Sequence, residues 1–225
     1  MPLAGKVVIG ITPAFDEGVK LPASKSSLYL RREYTKLIAE LGAVPLILSP
    51  DMHMTDILTL CDGVIISGGE DIPAEVYGGD ELLTVPEPLE RIMWERLLID
   101  RCQESSVPIL GVCYGMQLLA LHFGGALFQD IETELPGSYN HAGTTHDVRI
   151  ERNFLGIGSG ETLHVNSRHH QAVATLPDNF ALCAVSTDGV IEAMCGEHVY
   201  GVQWHPESDE TGRGIYRAFI ERCGG

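Results

Sequence analysis

Residues 108–125 read PILGVCYGMQLLALHFGG, and this stretch decides the fold. Its first third is apolar and predicts a short buried strand, and the apolar spacing of its second half predicts a helix that ends at Gly124. Gly111 and Gly115 flank Cys113, so the strand can turn tightly into the helix. A nucleophile at such a strand–turn–helix junction is the pattern of a nucleophile elbow. Cys113 is therefore a candidate nucleophile; the alternative is a structural cysteine buried at the end of a central strand.

The same alternation of strand and helix precedes this stretch. Short apolar runs predict three earlier strands, and a segment with helical spacing follows each of them. Four such units in succession require a parallel sheet with right-handed crossovers and helices on both faces. The predicted strands cover residues 7–12, 44–48 and 63–67, and the predicted helices cover residues 29–41, 51–60 and 89–102.

After residue 126 the pattern changes to alternating, β-prone segments, which favours antiparallel or mixed pairing. No internal repeat and no Gly/Ser linker divides the chain. We therefore expect one α/β domain over residues 1–225, with a central, mostly parallel sheet flanked by helices and a mixed or antiparallel β extension. The later strands are predicted at 146–150, 163–165, 181–185, 190–194 and 199–203, before a last helix at 211–222.

The composition excludes several classes of partner. Fifteen Lys and Arg against 31 Asp and Glu give a formal charge of −16, and a field of that sign repels nucleic acids and anionic membrane surfaces. No apolar run reaches the ~18 residues of a membrane span, and the N-terminal sequence lacks the pattern of a secretory signal. The six cysteines include no CxxC pair. We therefore expect reduced thiols and a cytoplasmic protein.

A cysteine nucleophile needs a base, and the base needs an orienting group. Among nine histidines, His205 directly follows a predicted apolar strand and begins the sequence His205-Pro206-Glu207. Pro206 restrains the turn, so that Glu207 can fold back and fix the tautomer of the imidazole. By itself this motif is more often a surface turn. Together with the elbow at Cys113, it indicates a nucleophile and its base.

These two motifs belong to a longer series of strings that runs over nearly the whole chain. The strings are SGGED (67–71), GVCYGMQ (111–117), GG (124–125) with QD (129–130), VNSRHHQAV (165–173), DGVIE (188–192) and GVQWHPE (201–207). With the strings in this order, the sequence resembles the class I glutamine amidotransferase superfamily. Within it, the sequence resembles the free-standing γ-glutamyl hydrolases of the peptidase C26 group, which includes γ-glutamyl-γ-aminobutyrate hydrolase. The resemblance implies a flavodoxin-like α/β fold.

Carried over residue by residue, the resemblance implies a catalytic triad. Cys113 would be the nucleophile and form a thioester, His205 the general base and then acid, and Glu207 its orienting partner. The oxyanion hole would consist of the backbone N–H groups of Gly69 and Tyr114, and one such donor typically lowers the barrier by about 3 kcal/mol. The implied reaction is hydrolysis of a γ-glutamyl amide, such as γ-glutamyl-γ-aminobutyrate, to glutamate and an amine.

The resemblance also implies a pocket for the γ-glutamyl group. Gln117, one helical turn after the nucleophile, is expected to hold the amino-acid end, and His170 and Gln171 are expected to line the same pocket. No cofactor and no metal are implied. The alternative for His164, His169 and His170 is a metal site, but no carboxylate or cysteine nearby in the sequence completes a tetrahedral set.

Tyr114 departs from the group's pattern. Hydrolases of the group that cleave amine conjugates usually carry Arg directly after the nucleophile. Tyr114 is therefore expected to present a ring and a hydroxyl to the amine half of the substrate, where the group presents a cation, and the identity of the amine stays open.

The expected partner is a small-molecule γ-glutamyl substrate, bound by a chain that acts alone or as a homodimer. Because the overall charge is negative, local donors that include Arg168 must meet the charged glutamyl group. The alternative among enzymes is a glutaminase subunit that delivers ammonia to a separate synthase. Outside enzymes, the alternative is a non-catalytic binding or redox module, which the complete triad disfavours.

Overall fold

The computed structural model describes residues 5–16, 26–78 and 85–224. Strands and helices alternate in the first half, and strands dominate the second. None of the described helices is long and apolar enough to cross a lipid bilayer. The strands are β1 (Val8–Ile11), β2 (Ala14–Asp16), β3 (Ser27–Tyr29), β4 (Val44–Ile47), β5 (Gly63–Ile66), β6 (Ile109–Val112), β7 (Ala126–Phe128), β8 (Ala142–Ile150), β9 (Thr162–Arg168), β10 (Ala172–Thr175), β11 (Ala181–Ser186), β12 (Ile191–Cys195) and β13 (Val199–Val202). The helices are α1 (Arg32–Glu40), α2 (Met54–Leu60), α3 (Leu89–Glu104), α4 (Tyr114–His122), α5 (Ile131–Glu134) and α6 (Gly212–Cys223).

The central sheet has nine strands in the order β4-β1-β5-β6-β13-β12-β11-β8-β9. Its first five strands are parallel to one another, and the remaining pairs are antiparallel. The predicted α/β class, with a mostly parallel sheet and an antiparallel extension, is confirmed. Two small antiparallel pairs, β2 with β3 and β7 with β10, lie outside the large sheet.

The parallel strands are apolar because helices cover both of their faces. All four residues of β1, β5 and β6 are buried, as expected for strands without a solvent-facing side. One core layer includes Ile38 of α1 and Phe219 of α6. The other includes Ile57 of α2, Leu98 of α3 and Leu118 of α4. The sheet therefore separates two cores.

Two helices begin three residues later than the sequence predicts. The first begins at Arg32, because Ser27–Tyr29 forms strand β3 against β2. The helix predicted from residue 51 begins at Met54. Gly42, predicted to stop α1, has φ 90°, a left-handed conformation that glycine adopts readily.

The sheet order brings three strand ends to one edge. Strand β6 pairs in parallel with both β5 and β13, with Val112 opposite Val202. The residues that follow these strands at their carboxyl ends are Ser67 after β5, Cys113 after β6 and Gln203 after β13. Open α/β sheets bind ligands at the carboxyl ends of their strands. The strand order therefore places the residues that follow β5, β6 and β13 close together.

Candidate active site

Cys113 lies at a strained turn between β6 and α4. Its backbone has φ 52° and ψ −109°, a conformation that a non-glycine residue keeps only when its surroundings enforce it. The flanking glycines make the turn possible. A Cβ on Gly111 would lie 2.5 Å from the backbone of Gly115, and a Cβ on Gly115 would overlap the carbonyl oxygen of Ile66. The structure therefore contains the elbow geometry that the sequence predicted.

His205 lies between Cys113 and Glu207. Its Nδ1 is 2.8 Å from Oε1 of Glu207, which leaves Nε2 as the nitrogen that can face Cys113. Burial lowers the pKa of His205, but attraction to Cys113 and hydrogen bonds with Cys113 and Glu207 outweigh burial and raise the pKa to about 10. The imidazole is therefore protonated at neutral pH. A cation beside a thiol is the arrangement that favours a thiolate.

The Gly68-Gly69 turn lies against His205. A Cβ on Gly68 would lie 2.8 Å from Cε1 of His205, and the N–H of Gly68 donates to the hydroxyl of Tyr34 over 3.0 Å. The N–H of Tyr114 starts helix α4 and has no carbonyl within that helix to bind. Gly69 and Tyr114 both line a cavity with Cys113, so the predicted oxyanion residues lie together beside the thiol.

This first cavity has a volume of about 230 Å³ and also contains Gln117, His170 and Gln171 in its wall. The two glutamine amides bind protein groups. Nε2 of Gln117 donates to the carbonyl of Gln171 over 2.9 Å, and the side chain of Gln171 binds both the N–H and the C=O of Ile72. His170 contacts Asp71 at 3.0 Å, and that hydrogen bond raises its pKa. The predicted substrate residues thus form one wall.

A second cavity of about 470 Å³ adjoins the first and has His205 and Gly68 in its wall. Gly69, Glu70 and Arg168 line both cavities. Arg168 and Arg31, which lines the second cavity, are exposed. Neither guanidinium forms an ion pair with a carboxylate in the described part of the chain, so two unpaired cations border this second space.

The side chain of Tyr114 is almost completely buried, at 1% exposed. Its hydroxyl donates to Oε2 of Glu95 over 2.8 Å, and the guanidinium of Arg91 lies over its ring at 4.3 Å. The expectation that the hydroxyl faces the amine half of the substrate is therefore wrong. The reason is that the buried carboxylate of Glu95, on helix α3, accepts the hydrogen bond of this hydroxyl and holds it away from the cavity.

A buried ionic cluster, which the sequence did not predict, is formed by Glu87, Arg91 and Glu95. Arg91 pairs with Glu87 at 2.9 Å and with Glu95 at 3.1 Å, and it donates to the carbonyl oxygens of Ser67 and Gly68. These three side chains are at most 1% exposed. The cluster therefore supports the Gly68-Gly69 turn from behind. The available signal was the spacing of three charged residues at every fourth position.

Asn166 belongs to the 165–173 string and holds the backbone of His205, a role that the sequence did not predict. Its Nδ2 donates to the carbonyl of His205 over 2.8 Å, and its Oδ1 accepts from the N–H of His205 over 3.2 Å. The backbone of His205 is thus fixed on both sides by one amide of strand β9. This contact explains how the β extension holds the imidazole in place.

The histidines considered together as a metal site have different partners. His164 is exposed and contacts Asp147 at 2.8 Å, and His170 faces Asp71. His169 is buried, and its Nδ1 lies 3.0 Å from the carbonyl oxygen of Gln171. Burial lowers the pKa of His169 well below its usual value. The three imidazoles therefore do not share one site.

Known proteins resemble this chain in sequence and fold. A family model described as Peptidase C26 matches residues 7–207. A glutamine amidotransferase-like protein of Lactococcus lactis subsp. lactis, YvdE, is 33% identical over 192 residues, which cover 80% of each chain. One subunit of the glutamine-hydrolysing GMP synthase of Thermococcus kodakarensis is 37% identical over 132 residues, or 56% of this chain and 66% of the relative.

Solved structures share the architecture. The crystal structure of a glutamine amidotransferase from Thermotoga maritima matches with a TM-score of 0.67 and 15% identity, over 97% of this chain and 98% of the other. At that identity the likeness concerns the fold. It agrees with the α/β architecture described above.

Proposed function

The chain belongs to the peptidase C26 family, and from this premise we propose that it hydrolyses the amide bond of a γ-glutamyl conjugate through a thioester on Cys113. Membership of this family, and the relationship to glutamine amidotransferases, support hydrolysis of an amide bond in general. The main observation in support of a thioester on Cys113 is that His205 contacts both Cys113, at the nucleophile elbow, and Glu207.

In the proposed acylation step, the thiolate of Cys113 attacks the γ-carbonyl carbon, and a carbon–sulfur bond forms. The carbonyl oxygen becomes an oxyanion that accepts hydrogen bonds from the N–H groups of Gly69 and Tyr114. When the carbon–nitrogen bond breaks, the imidazolium of His205 donates its proton to the departing amine. Glu207 keeps the imidazole oriented through Nδ1.

In the proposed deacylation step, His205 removes a proton from water, and the resulting hydroxide attacks the thioester. The carbon–sulfur bond breaks, glutamate is released and Cys113 regains its starting state. The same imidazole therefore acts as acid in the first step and as base in the second, which a group that contacts both reacting sites can do.

The two cavities support an assignment of the two halves of the substrate. The smaller cavity, which contains Gln117 and His170, would hold the γ-glutamyl group. The larger cavity contains His205, the group that must protonate the amine, and would hold the amine half. Arg31 and Arg168 at its border favour an amine that carries a carboxylate, such as γ-aminobutyrate.

A panel of amides tests this proposal. The purified chain would be given glutamine and γ-glutamyl conjugates of γ-aminobutyrate, a polyamine and an alkylamine, and release of glutamate and amine would be measured. We expect Cys113-dependent cleavage, fastest for the carboxylate-bearing conjugate. Equal turnover by the Cys113→Ala variant would contradict the proposal.

The second candidate is a glutaminase subunit that passes ammonia to a separate synthase. The observation that favours it is the similarity to subunits of two glutamine-hydrolysing GMP synthases, at 37% and 35% identity. Under this alternative, the isolated chain would leave the conjugates intact and hydrolyse glutamine weakly. The same panel therefore separates the two candidates.

A further inference from the structure

A buried cluster of three imidazoles and one carboxylate lies behind the first cavity and has no part in the proposed reaction. Its members are His141, His146, His169 and Glu192, none more than 7% exposed. Measured to Oε1 of Glu192, the distances are 2.9 Å from Nε2 of His146, 3.6 Å from Nδ1 of His141 and 3.9 Å from Nε2 of His169. The side chains thus converge on one carboxylate.

Hydrogen bonds outside the cluster determine which imidazole nitrogens carry protons. Nε2 of His141 lies 3.0 Å from Oδ2 of Asp188, and a carboxylate only accepts, so the proton is on Nε2. Nδ1 of His169 lies 3.0 Å from the carbonyl oxygen of Gln171, so the proton is on Nδ1. In these neutral tautomers, the other ring nitrogens, Nδ1 of His141 and Nε2 of His169, carry the lone pairs, and both nitrogens face Glu192.

Among the described residues, no neighbouring group donates a hydrogen bond to either of these two nitrogens. The hydroxyl of Ser167 is 3.3 Å from Nδ1 of His141, but it donates to the carbonyl of that residue over 2.6 Å. Nε2 of His169 and Oε2 of Glu192 are buried and have no hydrogen-bond partner among the described residues. Nε2 of His146 can donate to Oε1 of Glu192 over 2.9 Å, but the lone pairs of His141 and His169 still face that carboxylate, and a cation between them would remove this repulsion.

We propose that this cluster binds a divalent transition metal such as Zn²⁺ through Nδ1 of His141, Nε2 of His169 and a carboxylate oxygen of Glu192, with water as the fourth ligand, while Nε2 of His146 donates to Glu192. The first three ligand atoms lie within 4.8 Å of one another. Ligands of tetrahedral zinc are roughly 3.3 Å apart, so shifts of well under 1 Å would close the 3.6 Å and 3.9 Å separations. The separation between the two imidazole nitrogens is at most 4.8 Å and would shorten by about 1.5 Å or less. Asp188 and the Gln171 carbonyl would be the outer partners that orient the imidazoles.

The role of this metal would be structural. His141 directly precedes β8, His169 directly follows β9 and Glu192 belongs to β12, so the ion would join the three strands. His169 also lines the first cavity, next to His170 and Gln171. Metal binding would therefore stiffen the wall that faces the substrate without entering the reaction.

The test uses the Cys113→Ala variant, because a thiol beside His205 could itself bind zinc. We expect the purified variant to retain about one equivalent of metal after desalting, and cobalt(II) to give the visible d–d bands of a tetrahedral site with nitrogen and oxygen ligands. Added Zn²⁺ at about 100 times its Kd should raise the Tm of the chelator-treated variant by roughly 5–10 °C.

Variants locate the site. In the Cys113→Ala background, Glu192→Gln and His169→Asn should abolish the cobalt bands and the zinc-dependent rise in Tm, whereas His164→Asn, at an exposed histidine, should preserve both. The Cys113→Ala variant retains all the proposed ligands, and its metal content tests the proposal by itself. The proposal can therefore be tested even if the Glu192→Gln or His169→Asn variant does not fold. Absence of retained metal, of cobalt bands and of a zinc-dependent Tm in the parent variant would overturn the proposal. Binding that survives both Glu192→Gln and His169→Asn would overturn it as well.

Discussion

Cys113 has a left-handed backbone conformation and a side chain in contact with a protonated histidine. A non-glycine residue in such a conformation costs on the order of 1–3 kcal/mol. The surrounding glycines make this strain tolerable, because they let strand β6, helix α4 and strand β5 approach one another closely. The strained turn places the thiol at the sheet edge where His205 lies.

The pKa of His205 gives the first prediction. Since the folded value of about 10 exceeds the unfolded value of about 6.5, this group stabilises the fold fully below pH 6.5, and the contribution is lost as the pH rises toward 10. In an NMR titration, the His205 ring should therefore stay protonated well above pH 7. Cys113→Ala removes an attractive partner and should lower that pKa. Titration of the wild-type ring near pH 6.5 would show that Cys113 and Glu207 do not stabilise the protonated imidazole.

Gly115 gives the second prediction, because a Cβ there would overlap the carbonyl oxygen of Ile66. Gly115→Ala should lower the free energy of unfolding by about 1–3 kcal/mol, even though alanine favours helices. Gly214→Ala is the matched control in helix α6, since its Cβ would meet nothing within 4 Å, and it should be neutral or stabilising by up to about 1 kcal/mol. Urea unfolding measures both. Equal effects of the two variants would show that the elbow is not tightly packed.

At the scale of elements, helix α3 shows where an apolar pattern misleads. Its spacing predicted a helix correctly, but Leu89, Met93 and Leu97 are 44%, 71% and 43% exposed, while Arg91 and Glu95 are buried. The polar residues face inward because the Gly68-Gly69 turn needs donors for its carbonyl groups and Tyr114 needs an acceptor. Periodicity alone does not reveal such requirements, because they come from other elements.

The third prediction concerns this helix. Arg91→Met should destabilise the fold by about 3–5 kcal/mol, because it leaves the carboxylates of Glu87 and Glu95 buried without their cation. Arg101→Met on the same helix removes an exposed pair with Glu104, in which the side chains are 47% and 61% exposed, and should change stability by at most about 1 kcal/mol. Chemical denaturation compares the two variants. Similar small effects would refute the structural importance of the buried cluster.

At the scale of the whole molecule, the two cavities define a prediction about specificity. Arg31→Gln removes one of the two cations beside the larger cavity and should lower kcat/KM about tenfold for a carboxylate-bearing conjugate. The alkylamine conjugate should be cleaved almost as before. Arg32→Gln, at an exposed neighbour that does not line either cavity, is the control. Equal losses of kcat/KM for both conjugates would show that Arg31 does not bind the carboxylate of the amine half.

Much of this architecture could be predicted from the sequence because buried parallel strands appear as continuous apolar runs. The approach of His205 to Cys113 could not be derived from spacing, since it depends on β6 and β13 becoming neighbours in the sheet. That approach was expected only through the resemblance to a family. The sequence did not predict the buried cluster around Glu192. Its carboxylate belongs to β12, whereas its histidines lie in or next to β8 and β9.

Acid quench of the protein during turnover of a γ-glutamyl conjugate, followed by peptide mass spectrometry, tests whether a thioester forms on Cys113. We expect a mass increase of one γ-glutamyl group on the peptide that contains Cys113, sensitive to hydroxylamine as thioesters are, and absent from the Cys113→Ala variant. Sustained turnover by that variant, or a covalent adduct located on another residue, would contradict a Cys113 thioester.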